Sequence, residues 1–367
     1  MRDPRIEDFC DVLLDHSVKV QAGENIAINM RDYDVEMATA LVEGIYKRGG
    51  RPFVNLSDAR VTAASYKGMD ETYAKLLAEF NNPKMERMQG YVSLVGGNNA
   101  MEMSNVPAEA MAIYRSLVWK PQDEIIRKND IKWVVVEYPT PGAAQRAGMS
   151  TPEFEDFFFD ACCVDYEKMS KGMDVLVQWM ERTDRVHITG PGTDLTLSIK
   201  GQPAIKCDGV NNVPDGEVFT GPIKDSIDGV VSFNVDSVEG GFQYSNIQLT
   251  FEKGKCVKAT ANDGERINKT LDTDEGARYV GEFALGVNPA IKRPMLSTLF
   301  DEKIAGSFHM ALGACYDDAP NGNESAIHWD MICIQTKEYG GGEITFDDVL
   351  VRKDGMFLPK ELQGLNP

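Results

Sequence analysis

Long apolar runs are missing from this chain. None approaches the roughly 18 residues that cross a bilayer, so no membrane-spanning helix is expected. The N-terminus, Met1-Arg-Asp-Pro-Arg-Ile-Glu-Asp-Phe9, has neither the apolar core nor the small-residue cleavage site of a secretory signal. Basic residues are in deficit, 38 against 57 acids, for a net charge of −19. That balance repels nucleic-acid phosphates and anionic membrane surfaces, and argues against both as partners. It suits a site that attracts a cation, either a metal ion or a protonated amine. Paired cysteine spacing is also absent. Cys10, Cys162, Cys163, Cys207, Cys256, Cys315 and Cys333 are odd in number and scattered, without Cys-x-x-Cys. They read as buried, reduced thiols of a cytoplasmic protein, and none is nominated as a ligand or nucleophile. Val95-Gly-Gly-Asn-Asn99 lacks the further glycine and acid of a dinucleotide fingerprint, and Gly340-Gly-Gly342 lacks the lysine of a phosphate loop. Both are expected to be turns.

At 367 residues the chain is long enough for one large domain or two ordinary ones. Residues 1–185 alternate helical and strand patterns. Val35–Tyr46 carries a helical apolar stripe ending at Gly49-Gly50, and 52–56, 90–95 and 131–136 read as strands. The near-continuous apolar run Ile131-Lys-Trp-Val-Val-Val136 is that of a strand covered on both faces. A mostly parallel sheet with flanking helices follows. Thr151-Pro-Glu-Phe154 opens a long helix, with Thr151 as N-cap and Phe154, Phe157, Phe158, Cys162 and Met169 as packing residues. Near Asp184 the texture changes to period-2 alternation punctuated by turns, at 190–192, 253–255, 262–264 and 354–355. Residues 186–367 are expected to form a β-rich domain with one or two inserted helices.

The chain has four histidines, and two of them, His309 and His328, lie among carboxylates in this second half. Ala326-Ile-His-Trp-Asp-Met-Ile-Cys-Ile334 reads as a strand, so His328 and Asp330 share one face and Trp329 and Met331 the other. An imidazole and a carboxylate side by side hold a divalent metal or simply hydrogen-bond one another. Two further acids stand out. Glu217 follows a Pro-Asp-Gly turn in Asn212-Val-Pro-Asp-Gly-Glu217. Glu282 lies in Gly281-Glu-Phe-Ala-Leu-Gly286, where it is also spaced to pair with Arg278 one helical turn earlier. Glu217, Glu282, His309, His328 and Asp330 form an oxygen and nitrogen set without thiolates. That set suits Zn²⁺, Co²⁺ or Mn²⁺, and is rich enough for two ions if one carboxylate bridges.

Four ordered motifs carry a family resemblance. Val213-Pro-Asp-Gly-Glu-Val-Phe-Thr220, Gly281-Glu-Phe-Ala-Leu-Gly286, Leu299-Phe-Asp-Glu302 with His309-Met-Ala-Leu-Gly313 and Tyr316, and Ile327-His-Trp-Asp330 resemble those of the thermophilic metallo-aminopeptidases. The likeness is strongest from about residue 205 to 335. It implies a two-metal exopeptidase that removes N-terminal residues from short peptides through a hydroxide bridging the metals. Glu217, Glu282, His309, Tyr316, His328 and Asp330 are the implied metal site, with Glu282 bridging. Glu302 or Glu217 would shuttle the proton, and Tyr316 would bind metal or stabilise the oxyanion. The resemblance also implies an N-terminal α/β domain, serving dimerisation and substrate access, a C-terminal β-rich metal-binding domain, and a homodimer. One departure bears on Glu302. Family members carry Asp-Glu-Asn-Ala-Ala-x-His, whereas seven residues separate Asp301 from His309 here. The segment from Tyr316 to His328 is also short, which bears on the pocket rim at 317–325. Two rival readings remain: a mononuclear non-haem iron dioxygenase acting on dihydroxypyridines, built on the His-x-Asp pair and a second histidine, and a non-catalytic scaffold.

Overall fold

Parallel and antiparallel pairing divide the chain much as its texture suggests. The computed structural model describes residues 2–99 and 101–367. One compact unit runs to Cys163 and takes in Gly209–Val213; a second comprises Val164–Asp208 and Pro214–Pro367.

In the first unit a five-stranded parallel sheet runs in the order Arg51–Ser57, Asn25–Arg31, Gly90–Val95, Lys132–Glu137, Asn212–Val213. Ile26, Ile28, Met30, Val92, Leu94, Val134 and Val136 are buried along it. Helices such as Val35–Lys47, capped by the Asp34 carboxylate accepting from Met37 N, connect the strands. The helix over 151–162 differs from the sequence reading in two respects. Ser150 rather than Thr151 is its N-cap, since the Ser150 hydroxyl reaches Glu153 N, three residues on. It also stops at Cys162, because the Asp165 side chain accepts from Lys168 N and starts a new helix, Tyr166–Glu181, on which Met169 lies. That helix packs in the second unit against the Ala204–Cys207 and Glu217–Thr220 strands, so compactness divides the chain before the change of texture at Asp184.

The second unit contains two larger antiparallel sheets. Eight strands between Arg185 and Phe357 form one, paired edge to edge from Lys255–Thr260 to Met356–Phe357. The other has five strands in the order His328–Ile334, Ser307–Gly313, Val280–Gly286, Glu217–Thr220, Ala204–Cys207. Its Val280–Gly286 and Ser307–Gly313 strands are buried at every position. No helix among the described residues is long and apolar enough to cross a membrane.

The Val280–Gly286 strand has one irregularity. Val280 pairs with Leu312 and Glu282 with Ala311, so Gly281 is an extra, bulged residue. A Cβ at Gly281 would lie 2.3 Å from Ala314 O and 2.6 Å from Gly313 O. Glycine is therefore required by close backbone approach, and the bulge sets which way Glu282 points. Gly281→Ala is expected to destabilise the protein by about 1–3 kcal/mol through overpacking. Thermal denaturation beside Gly264→Ala, where nothing lies within 4 Å of the added Cβ, checks this. Equal melting temperatures would show that the bulge accommodates a side chain.

Candidate active site

Register across the five-stranded sheet brings the candidate residues onto one face. Ala311 is opposite Glu282 on one side and Asp330 on the other, so these three share a face. His309, two residues before Ala311, shares it, as does His328, opposite Gly313. Glu217, opposite Gly286, completes the set. Between the polar side chains this face carries Ala284, Gly286, Ala311 and Gly313. Small residues alternate with ligand-type residues, and at the glycines other backbone comes close: a Cβ would lie 2.4 Å from Ile304 O at Gly286 and 2.1 Å from Ile327 O at Gly313.

Glu217, Glu282, His309 and Asp330 are buried, and His328 and Glu302 half-buried. Their potential ligand atoms fall into two groups, Glu217 with Glu302 and His309, and Glu282 with His328 and Asp330. Within each group the atoms lie within 4.8 Å of one another. Glu282 faces both imidazoles, with Oε1 3.4 Å from His309 Nε2 and Oε2 3.3 Å from His328 Nε2. His309 Nε2 is also 3.2 Å from Glu217 Oε2, and His328 Nε2 is 3.6 Å from Asp330 Oδ1. These separations are long for charged hydrogen bonds. They match atoms sharing an ion, since two ligands each about 2.1 Å from it at tetrahedral angles lie about 3.4 Å apart. His328 Nδ1 is 2.7 Å from Ala314 O and donates to it, which turns Nε2 toward the carboxylates. Glu217 Oε2 and His328 Nε2 are buried with no hydrogen-bond partner among the described residues. Each instead faces the other ligand atoms of its own group, Glu217 Oε2 facing His309 and His328 Nε2 facing Glu282 and Asp330, as donors around a divalent cation would.

The charge balance agrees. Five carboxylates (Asp215, Glu217, Glu282, Glu302, Asp330) gather around one ammonium, Lys303, and two imidazoles. Burial alone would lower the pKa of each imidazole. The carboxylates outweigh it, Glu217 and Glu282 at His309 and Asp330 with Glu282 at His328, so both are raised and hold protons that a cation would displace. The two glutamates of the first group are driven apart. Burial pushes Glu302 up to about 8, helped by Glu217 and Asp330 and opposed by Lys303. For Glu217 burial acts in the same sense, but Lys303 and His309 overcome it and bring the carboxyl down to about 2.

Tyr316 stands at the rim rather than in either group. It is half-exposed, with its ring centroid 4.7 Å from that of His328 and 5.4 Å from that of Phe219. The short segment behind it is pinned by Asn323, whose Nδ2 donates to Gly276 O at 2.9 Å and Gly313 O at 2.6 Å, and by Asn321, whose Nδ2 donates to Val280 O at 2.8 Å. Arg278 does not pair with Glu282; its Nε donates to Asp272 Oδ1 at 2.7 Å. The reason is that Glu282 lies on a strand, pointing into the site, and not on a continuing helix. Three residues passed over in the sequence join the site. Asp215 and Cys207 gather beside Glu217, and Lys303 contacts Asp215, Glu217 and Glu302. Asp215 and Lys303 each adjoin a singled-out glutamate or its motif, the one signal that offered them. Cys207 had none, because only strand pairing brings it opposite Glu217.

A family profile described as thermophilic metalloprotease (M29) matches residues 2–357. Aminopeptidase T of Thermus aquaticus is 30% identical, over 74% of this chain and 74% of its own length. Aminopeptidase T of Thermus thermophilus is 27% identical, over 89% of this chain and 91% of its own. The solved structure of the latter, wild-type AmpT, superposes with a TM-score of 0.78 at 22% identity, covering 97% and 99% of the two chains. A 2,5-dihydroxypyridine dioxygenase from Pseudomonas putida KT2440 shares the fold at a TM-score of 0.64 and 14% identity, covering 99% of each chain. The alternation of parallel and antiparallel sheets, the carboxylate–imidazole face and the profile match lead to one assignment: this chain belongs to the thermophilic metalloprotease family M29.

Proposed function

We propose that the protein is an aminopeptidase that cleaves the N-terminal peptide bond of short peptides, using two divalent cations. The observation that carries this reading is Glu282 directing one oxygen at each imidazole, so that one carboxylate is common to both ligand groups. Glu217 and His309 would hold one cation, with Glu302 beside them as the base, and Glu282, His328 and Asp330 the other, with Glu282 reaching both. The donor set, imidazole and carboxylate, suits Zn²⁺, Co²⁺ or Mn²⁺. Such ions, when bound, supply Lewis acidity at the scissile carbonyl and lower the pKa of a water between them.

The protein's own groups then have distinct tasks. Burial raises the Glu302 carboxyl to about 8, so its ionised form is a competent base for the proton of the attacking water, and the acid so formed passes that proton to the leaving amine. Glu217, held ionised beside Lys303 and His309, stays a ligand. Burial and the nearby carboxylates keep the Tyr316 hydroxyl protonated, a donor for the oxyanion of the tetrahedral intermediate. The negative surroundings orient the substrate's free ammonium. One site built from two carboxylate–imidazole groups favours this chemistry over a mononuclear iron oxygenase, and a scaffold has no need of orphaned acceptors in its interior.

The α/β part is proposed to serve dimerisation and substrate access. Arg51–Ser57 is an open sheet edge on which Phe53, Val54 and Leu56 are exposed, a surface suited to a second copy of the chain. Free thiols at all seven cysteines support a cytoplasmic location. The net charge of −19 supports a peptide amine, rather than nucleic acid or a membrane surface, as the partner.

The protein stripped with EDTA and reloaded with Zn²⁺, Co²⁺ or Mn²⁺ is expected to release the N-terminal residue from aminoacyl-p-nitroanilides and short peptides, and Glu282→Ala to release none. Absence of cleavage with every metal, together with oxygen consumption on an iron-loaded sample, would transfer the assignment to the oxygenase. Glu302→Gln should retain its metal while kcat falls by about 10²–10⁴-fold, the range for loss of a general acid–base. An unchanged kcat would move the proton shuttle elsewhere.

Metal should also show in stability. In the metal-free protein the raised imidazole pKa values stabilise the fold fully below the unfolded value, and that contribution is lost as pH rises toward the folded one. Ligation needs the deprotonated rings, so cation binding strengthens over the same interval. The gap in melting temperature between Zn²⁺-loaded and stripped protein is therefore expected to widen as pH rises from about 6.5, the unfolded imidazole value, toward the folded His328 value of about 11. A gap independent of pH would show that the imidazoles are not ligands.

A further inference from the structure

Lys303 takes no step in the chemistry above, yet it is almost wholly buried within the site. Its Nζ lies 2.6 Å from Glu217 Oε1, 2.8 Å from Glu302 Oε1 and 3.3 Å from Asp215 Oδ1. Its carbonyl accepts from Asn288 N at 3.0 Å, so the residue is anchored from both ends. The contacts are one-sided. Both glutamates it holds belong to the group containing His309, whereas Glu282 and Asp330, in the group containing His328, receive no ion pair from it. Lys303 also leaves Glu217 with its second oxygen, Oε2, turned to His309 Nε2 at 3.2 Å. The ammonium thus orients a ligand while sharing its charge.

We infer that Lys303 is a positioning residue that makes the two cation positions unequal. A fixed positive charge within contact of Glu217 and Glu302 repels a divalent ion there and uses part of the carboxylate charge that would bind it. The Glu282–His328–Asp330 position has no such competitor and takes its ion firmly. One ion is then resident and the other exchangeable, with the exchangeable one next to Glu302. This inference rests on the two-cation reading of the site.

The test is binding rather than turnover: the full-length stripped protein is titrated with Co²⁺, followed by calorimetry and by the visible absorption of the bound ion. Wild type is expected to bind in two steps with dissociation constants at least about tenfold apart. His328→Ala should remove the tight step and His309→Ala the weak one. Lys303→Gln should tighten the weak step by at least about tenfold, and Lys303→Arg, which keeps the charge, should preserve the separation. Two equal steps in wild type, or loss of the tight step in His309→Ala, would overturn the inference. Should Lys303→Gln fail to fold, the wild type and the two histidine variants decide by themselves. A single ion in wild type with a second appearing in Lys303→Gln would end the two-cation reading but uphold the role of Lys303. A single ion in both would overturn the two together.

Discussion

The fold is arranged around an unfavourable burial. Five carboxylates are withdrawn from water onto and beside one sheet face, against one ammonium and two imidazoles. Unpaired buried charge is costly, and groups in that position neutralise, pair or coordinate metal. All three responses occur here in separate places. Glu302 is driven toward its protonated form, Glu217 pairs with Lys303, and both imidazoles turn Nε2 toward carboxylates at separations that fit a shared cation. Holding so many like charges together needs rigid surroundings.

Rigidity comes from the sheet and its backbone, not from the site. The central strands Val280–Gly286 and Ser307–Gly313 are buried throughout, so their register cannot slip without turning apolar residues outward. A bulge at Gly281 aims Glu282, Gly286 and Gly313 let the 302–304 and 327 backbone pack closely on the sheet, and Ala314 O holds His328 through Nδ1. The segment carrying Glu302 and Lys303 is fastened separately. Asp301 accepts from Met295 N at 2.6 Å and from Ser297 N at 3.2 Å. Between Asp301 and His309, Ala305 N donates to Ile291 O at 3.0 Å and Ser307 N to Ile304 O at 3.1 Å, so the stretch is an ordered turn that delivers Glu302 to the site.

A fold shared with both a peptidase and an oxygenase does not choose between their chemistries. The choice lies in which polar side chains stand on the common sheet face. Here a carboxylate lies between two imidazoles, and each imidazole has a further carboxylate of its own. That arrangement suits bridged cations and hydrolysis, and it is a property of particular residues at particular registers.

The sequence by itself determined the elements and the ligand types. Strand parity placed His328 and Asp330 on one face, the apolar runs marked the parallel strands, and the four motifs named Glu217, Glu282, His309 and Tyr316. These are local facts, encoded in spacing. Where capping depended on a single hydroxyl, the choice between Ser150 and Thr151 was not encoded in the pattern. Whether Glu282 would pair with Arg278 or face the histidines depended on strand against helix at one short stretch. The tertiary structure alone decided that Ala311 stands between Glu282 and Asp330, that Gly281 is a bulge, and that Lys303 leans on one ligand group and not the other. Cross-strand register and the contacts of a buried charge join residues far apart in the chain, and no periodicity along it records them.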